Sequence, residues 1–62
     1  MKKLTITEGT YNGKQMRVEQ ADGNDRCSVF TDGKYNGEFD STKGAALIAR
    51  LENKTVEIGT TN

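Results

Sequence analysis

The sequence has no histidine, no proline and no tryptophan, and it has a single cysteine, Cys27. Without histidine, imidazole acid–base catalysis and a Cys–His nucleophilic pair are excluded, and one thiolate cannot build a zinc site. A lone cysteine cannot form an internal disulfide, so we expect a reducing, cytoplasmic environment. The carboxylates are scattered along the chain. We therefore expect no enzymatic activity, no metal and no cofactor.

The chain also lacks an excess of either charge and any long apolar run. Nine basic and nine acidic residues balance, and the two signs are interspersed. A protein that binds nucleic acid non-specifically draws its affinity from phosphate neutralisation, so balanced charge argues against that class but leaves a small basic patch open. With no apolar run of spanning length and no signal-peptide core, we expect no membrane attachment.

The length sets a limit on the core. We interpret residues 1–62 as one small domain. A chain of about 60 residues buries only about 60% of its unfolded surface. Burial and chain entropy nearly cancel at this size, so a partner or a homodimer would help the fold. A marginal monomer is the alternative.

Only the stretch 37–53 has helical periodicity. Asp40 or Ser41 can cap its start, because a short side-chain oxygen accepts a hydrogen bond from an unpaired amide of the first turn. Gly44 on the apolar face lets the helix approach a sheet closely, although a mid-helix glycine costs about 1 kcal/mol. Arg50 is expected on the exposed face. The predicted core anchors of the helix are Leu47, Ile48 and Leu51.

The remaining segments alternate with the period of a strand. They cover residues 3–7, 15–20, 26–31, 34–39 and 55–59. The side chains predicted to point inward are Leu4, Ile6, Met16, Val18, Val56 and Ile58. We expect Cys27 to be a buried structural thiol that shares an apolar strand face with Val29. The last residues, 60–62, are predicted to fray.

The order β-β-β-β-α-β predicts an α+β fold. It is a small antiparallel sheet of four to five strands with one helix packed on one face, and the final strand lies beside the first. The opposite sheet face is then exposed to solvent or to a partner. The residues predicted on that face are Lys3, Thr5, Arg17, Glu19, Phe30 and Glu57.

A seven-residue sequence is repeated. Residues 7–13 and 31–37 are identical at five of seven positions, and both copies carry a carboxylate followed by glycine and later an Asn-Gly pair. A strand cannot reverse twice within so few residues. We therefore predict the reversals at Glu8-Gly9 and Asp32-Gly33, with the Asn-Gly pairs as bulges. Tyr11 and Tyr35 then occupy similar positions, where they either cover the sheet near its turns or form a recognition surface.

Residues 15–52 resemble a family of DNA-binding domains. Gly37-Glu38-Phe39-Asp40-Ser41 leading into an alanine-rich helix is similar to the three-stranded sheet plus helix of integrase arm-binding and plant ethylene-response-type domains. The resemblance implies a sheet that enters the major groove, with Arg17 and Arg26 as base readers. Residues 6–13, continuing to Val18, resemble the hydrophobic–glycine–aromatic–glycine pattern of KOW-type small barrels.

Three functions follow as hypotheses. The favoured one is a protein-binding module, a small regulatory, inhibitory or accessory protein of the kind that phages and mobile elements encode. The alternatives are a sheet-mediated DNA- or RNA-binding domain and a small structural or assembly subunit. Tyrosine and arginine dominate interface energies most often, so the predicted partner-binding residues are Tyr11, Arg17, Arg26 and Tyr35.

Overall fold

A computed structural model describes residues 2–61 and shows five antiparallel strands with one helix on one face of their sheet. The elements are β1 (Lys2–Tyr11), β2 (Lys14–Ala21), β3 (Arg26–Thr31), β4 (Lys34–Asp40), α1 (Ser41–Arg50) and β5 (Glu52–Thr61). The α+β fold predicted from the sequence is confirmed.

The sheet order is β4-β3-β2-β1-β5, so the last strand lies beside the first, as expected. The first four strands follow one another as antiparallel hairpins. The chain must then return from the β4 edge to the far edge, four strand spacings or about 19 Å away. A ten-residue helix covers about 15 Å of that distance. The helix is therefore the crossing segment of the fold.

Helix α1 begins where the sequence offers a cap. Asp40 is the N-cap, and its Oδ1 accepts a hydrogen bond from the amide of Lys43 at 2.8 Å. At the other end, the amide of Leu51 donates to the carbonyl of Ile48 at 3.2 Å. The helix is shorter than the periodic stretch 37–53 because the residues before Asp40 pair with β3 as part of β4.

The core lies between α1 and strands β2, β3 and β4. Leu51 is buried, Leu47 and Ile48 are half-buried against the core, and Arg50 is exposed. Cys27 is buried beside Val29, as predicted from the strand alternation. The buried apolar residues are Met16, Val18, Cys27, Val29 and Leu51.

Two glycines let the crossing chain lie close to the sheet. A Cβ on Gly44 would overlap the Sγ atom of Cys27. A Cβ on Gly9 would lie 2.8 Å from the carbonyl oxygen of Glu52 and 2.9 Å from the Cβ of Leu51. The helix thus rests directly on β3, and the residues that follow it rest directly on β1.

The first hairpin reverses at Asn12-Gly13, so the predicted turn at Glu8-Gly9 is wrong. Asn12 and Gly13 have φ angles of 52° and 77°. Two-residue hairpin turns of this kind need positive φ at both central positions, and Asn or Asp tolerates that geometry far better than Glu does. Glu8 therefore stays in β1, and the reversal moves to the next pair that can adopt it.

The second hairpin reverses at Asp32-Gly33, as predicted, with φ angles of 51° and 83°. The Asp32 carboxylate also accepts a hydrogen bond from the amide of Gln15 at 3.1 Å. The strand register shifts between Val29 and Phe30, opposite a bulge at which Gly37 has φ 116°. The repeated sequence thus folds in two ways, because its first copy has Glu where its second has Asp.

The position of the first turn reverses the predicted facing of β1. Thr7 pairs with Val18, and Gly9 pairs with Met16, so these β1 residues face the helix. Leu4 and Ile6 were predicted inward, and that prediction is wrong: both point to the other face, where they are half-buried. Lys3 and Thr5 were predicted on the open face, but they alternate with Leu4 and therefore lie on the helix side.

Strand β5 extends past the area that the helix covers. Val56 and Ile58 are on the helix side, paired with Thr7 and Thr5, but they are 60% and 58% exposed. They face the helix side, as predicted, but they are not buried, because α1 contacts β2, β3 and β4. Thr60 and Thr61 belong to β5 and pair with β1, contrary to the predicted fraying; Asn62 lies outside the described residues.

The contact between Gly44 and Cys27 predicts that Gly44→Ala changes the free energy of unfolding in opposite directions in the wild-type chain and in the Cys27→Ala chain. Gly44→Ala should lower the free energy of unfolding by about 1–3 kcal/mol, because its methyl group overlaps Sγ. In the Cys27→Ala background the remaining neighbours of that methyl are at 3.5 Å and 3.9 Å. There the same change should stabilise the protein by up to about 1 kcal/mol through helix propensity. Urea unfolding of the four chains measures this, and the same sign in both backgrounds contradicts it.

Burial of Cys27 predicts a stability that falls at alkaline pH. Desolvation, with a smaller contribution from the charge of Asp40, raises the pKa of the Cys27 thiol. The unfolded chain then loses this proton more readily than the folded one. The stabilisation that comes from this difference in pKa is fully present well below about pH 8.5, where a free thiol is protonated. It is lost as the pH rises through the pKa of the folded chain. The unfolding free energy should fall more steeply above that pH than in Cys27→Ala; parallel curves for the two chains refute this prediction.

Candidate partner-binding surface

The sheet face away from α1, here the open face, carries one row of large side chains across four strands. Tyr35 pairs with Phe30, Phe30 with Arg17, and Arg17 with Glu8. Directly paired residues of antiparallel strands point to the same face of a sheet. The register therefore places Tyr35, Phe30, Arg17 and Glu8 side by side on a face that α1 does not cover.

Two aromatic rings lie at the β4 end of this row. The ring centroids of Phe30 and Tyr35 are 5.4 Å apart and the ring planes are inclined by 55°. That tilted geometry is favoured by aromatic quadrupoles. Tyr35 remains 58% exposed, so much of its ring is open to solvent.

Arg17, at the centre of the row, forms an ion pair with Glu19. Its Nε lies 2.7 Å from Oε2 of Glu19, two residues along the same strand. The two side chains are 43% and 25% exposed, so solvent screens the pair and its effect on stability is small. Among the described residues Arg17 Nε has no hydrogen-bond partner, so its contact with Glu19 is an ion pair only. A depression of about 400 Å³ lies here, lined by Glu8, Gln15, Arg17, Glu19, Phe30 and Gly33.

The open face is acidic although the chain is neutral overall. Its register places glutamates of four different strands on this side: Glu8, Glu19, Glu38 and Glu57. Glu52 pairs with Thr10 and lies on the same side. The cations there are Lys2, Arg17 and Arg26, and one of them is already paired with a glutamate. On the open face glutamates therefore outnumber cations.

The structure brings together only part of the predicted partner-binding set. Arg17 and Tyr35 are neighbours on the open face, and Arg26 lies on the same face opposite Asp40. Tyr11 lies on the helix side, where it packs against the core. The predicted symmetry of the two tyrosines is absent because the first turn follows Tyr11 and the second turn precedes Tyr35.

The predicted open face correctly included Arg17, Glu19, Phe30 and Glu57. The named partner-binding set omitted Phe30 and every glutamate. Alternation along β3 already separates Phe30 from Cys27 and Val29 and places it with Arg17. The acidic character of the face depends on the register of all five strands, which local sequence patterns do not fix.

Two general features complete the description of residues 2–61. Within that range, no three Cys, Asp or Glu side chains are grouped so that they could hold a metal ion. The same range contains no helix with the length and apolar character needed to cross a membrane.

Comparisons of the chain with protein-family models, with curated proteins and with solved structures gave no match.

The different environments of the two tyrosines predict unequal effects of one substitution. Tyr35→Ala should lower the unfolding free energy by about 1 kcal/mol, the contribution of an exposed aromatic pair. Tyr11→Ala should cost at least about 1 kcal/mol more, because it removes a ring that packs against the core. Thermal melts followed by circular dichroism compare the two variants. Equal losses would mean that the tyrosines occupy equivalent sites, as the repeated sequence alone suggests.

Proposed function

We propose that this protein is a non-enzymatic protein-binding module whose open face binds a basic surface of another protein. The observation that carries the proposal is the row of Tyr35, Phe30 and Arg17, which lies uncovered among glutamates of four strands. As a binding module of this size, the chain would act as a small regulatory, inhibitory or accessory protein of phage or mobile-element type. Its single thiol suits a reducing compartment such as the cytoplasm.

The residue types on the open face support protein binding. Tyrosine and arginine contribute disproportionately to interface energies, because they combine a large contact area with directional hydrogen bonds. Here the ring of Tyr35 packs against Phe30, and Arg17 forms an ion pair with Glu19. Side chains that are already ordered lose less conformational entropy when a partner binds.

The charge of the open face supports a basic partner and argues against sheet-mediated nucleic-acid binding. Carboxylates facing lysine or arginine raise association rates and select the partner. The same carboxylates repel phosphates, whose neutralisation supplies most of the affinity for nucleic acid. Arg17 and Arg26, the readers implied by the resemblance to DNA-binding domains, are outnumbered by glutamates on their own face.

Site-directed photo-crosslinking tests the proposal without a known partner. A benzophenone amino acid replaces Tyr35 on the open face, and in a matched chain it replaces Ala45, which is exposed on the helix. We expect a discrete protein adduct from position 35 and none from position 45. A second copy of this chain as the adduct would reveal a homodimer through the open face and would contradict a heterologous partner.

Affinity measurements with the purified partner then test the residues. Phe30→Ala and Tyr35→Ala should each raise Kd about ten-fold or more, a loss of about 1.4 kcal/mol. Glu38→Gln should slow association at low salt, and Lys34→Ala on the helix side serves as the matched control with no effect. If Lys34→Ala weakens binding and the open-face variants do not, the assignment of the face is wrong.

A further inference from the structure

Six of the nine cations of the chain lie on the helix side of the sheet, here the basic side. Strand register and alternation place Lys3, Lys14, Lys34 and Lys54 there, and Lys43 and Arg50 are exposed on the helix. All five glutamates of the chain lie on the other side. The four aspartates lie in turns or bends or at the start of α1, so the separation onto two sides concerns the glutamates and most of the cations.

Tyr11 lies on the basic side at the end of β1, next to the Asn12-Gly13 turn. Its ring packs against the core and borders two depressions. The first has a volume of about 280 Å³ and is lined by Tyr11, Lys43, Ala46, Leu47 and Arg50. The second, of about 360 Å³, is lined by Tyr11, Asn12, Lys14, Met16, Thr31 and Asn36. One half-buried ring thus separates two shallow sites, and each site has at least one cation on its wall.

We infer that this basic side is a binding site for single-stranded nucleic acid, separate from the protein-binding open face. Lys14, Lys43 and Arg50 bind successive phosphates, while a base stacks on the ring of Tyr11. Asn12 and Asn36, in the second depression, carry side-chain amides that can donate to and accept from a base edge; the amide nitrogen of Asn36 also donates to Oγ1 of Thr31. A positively charged groove with an aromatic platform is the general means of binding unpaired strands.

The placement of the ring favours a single strand over a duplex. Bases in a duplex are stacked on one another, so their faces are not available to a tyrosine between two depressions, whereas an unpaired base can turn out to it. An acidic protein segment could satisfy the cations but has no base to place on the ring. Nucleic acid can therefore contact both the cations and the ring of Tyr11, whereas an acidic peptide contacts only the cations.

Fluorescence anisotropy with labelled single-stranded oligo(dT) tests the inference. Three phosphate contacts predict that log K falls with log salt concentration with a slope of about −2, since each contact contributes about −0.7. Lys43→Gln should weaken binding and reduce the magnitude of the slope by about 0.7. Lys2→Gln removes the same charge from the open side and should leave both quantities unchanged.

The aromatic contact is tested separately. Tyr11→Leu, which keeps apolar volume against the core, should weaken binding about ten-fold or more through loss of stacking. Tyr11→Phe should retain it, and circular dichroism melts show that each variant is folded. Failure of the wild-type chain to bind oligo(dT), equal affinity for a duplex of the same length, or full competition by poly-glutamate would each overturn the inference. None of these results bears on crosslinking at position 35, so the two sites are tested independently.

Discussion

The closeness of α1 to β3 is the physical constraint on which the rest of this structure depends. Gly44 lies against the sulfur of Cys27, in space that any side chain would fill. A chain of 62 residues has few apolar side chains to bury, so it gains contact by bringing helix and sheet together rather than by filling a gap. Gly9 serves the same purpose where Leu51 passes over β1. The helix therefore covers β2, β3 and β4 tightly and leaves the outer part of β5 exposed.

One short helix on one side of the sheet leaves the opposite face free, and strand alternation then distributes the charges. Residues that pair across the sheet share a face, so glutamates from different strands accumulate on the open face and lysines accumulate on the helix side. Electrostatic complementarity selects partners and directs encounter more than it sets affinity. The two proposed sites, one for a basic protein and one for single-stranded nucleic acid, rest on this separation of glutamates and cations.

Much of the fold could be predicted from local sequence patterns. Asp40 as a cap, Gly44 on the apolar face and the pairing of the last strand beside the first follow from residue types and element order. The facing of β1 was predicted wrongly because the repeated sequence made the two hairpins look alike, although Asn12-Gly13 adopts positive φ more readily than Glu8-Gly9. The exposure of Val56 and Ile58 depends on how far a ten-residue helix reaches, which their own alternation does not show.

The separation of the two tyrosines onto opposite sides of the sheet is the central claim of this account, since both proposed sites depend on it. Nuclear Overhauser contacts from the two tyrosine rings measure it directly in solution. We expect Overhauser contacts from Tyr35 to the ring of Phe30, and from Tyr11 to the side chains of Leu47 and Met16. Contacts from Tyr11 to Arg17 or Glu8 would place both rings on one face, and would contradict the turn at Asn12-Gly13 and the two surfaces that follow from it.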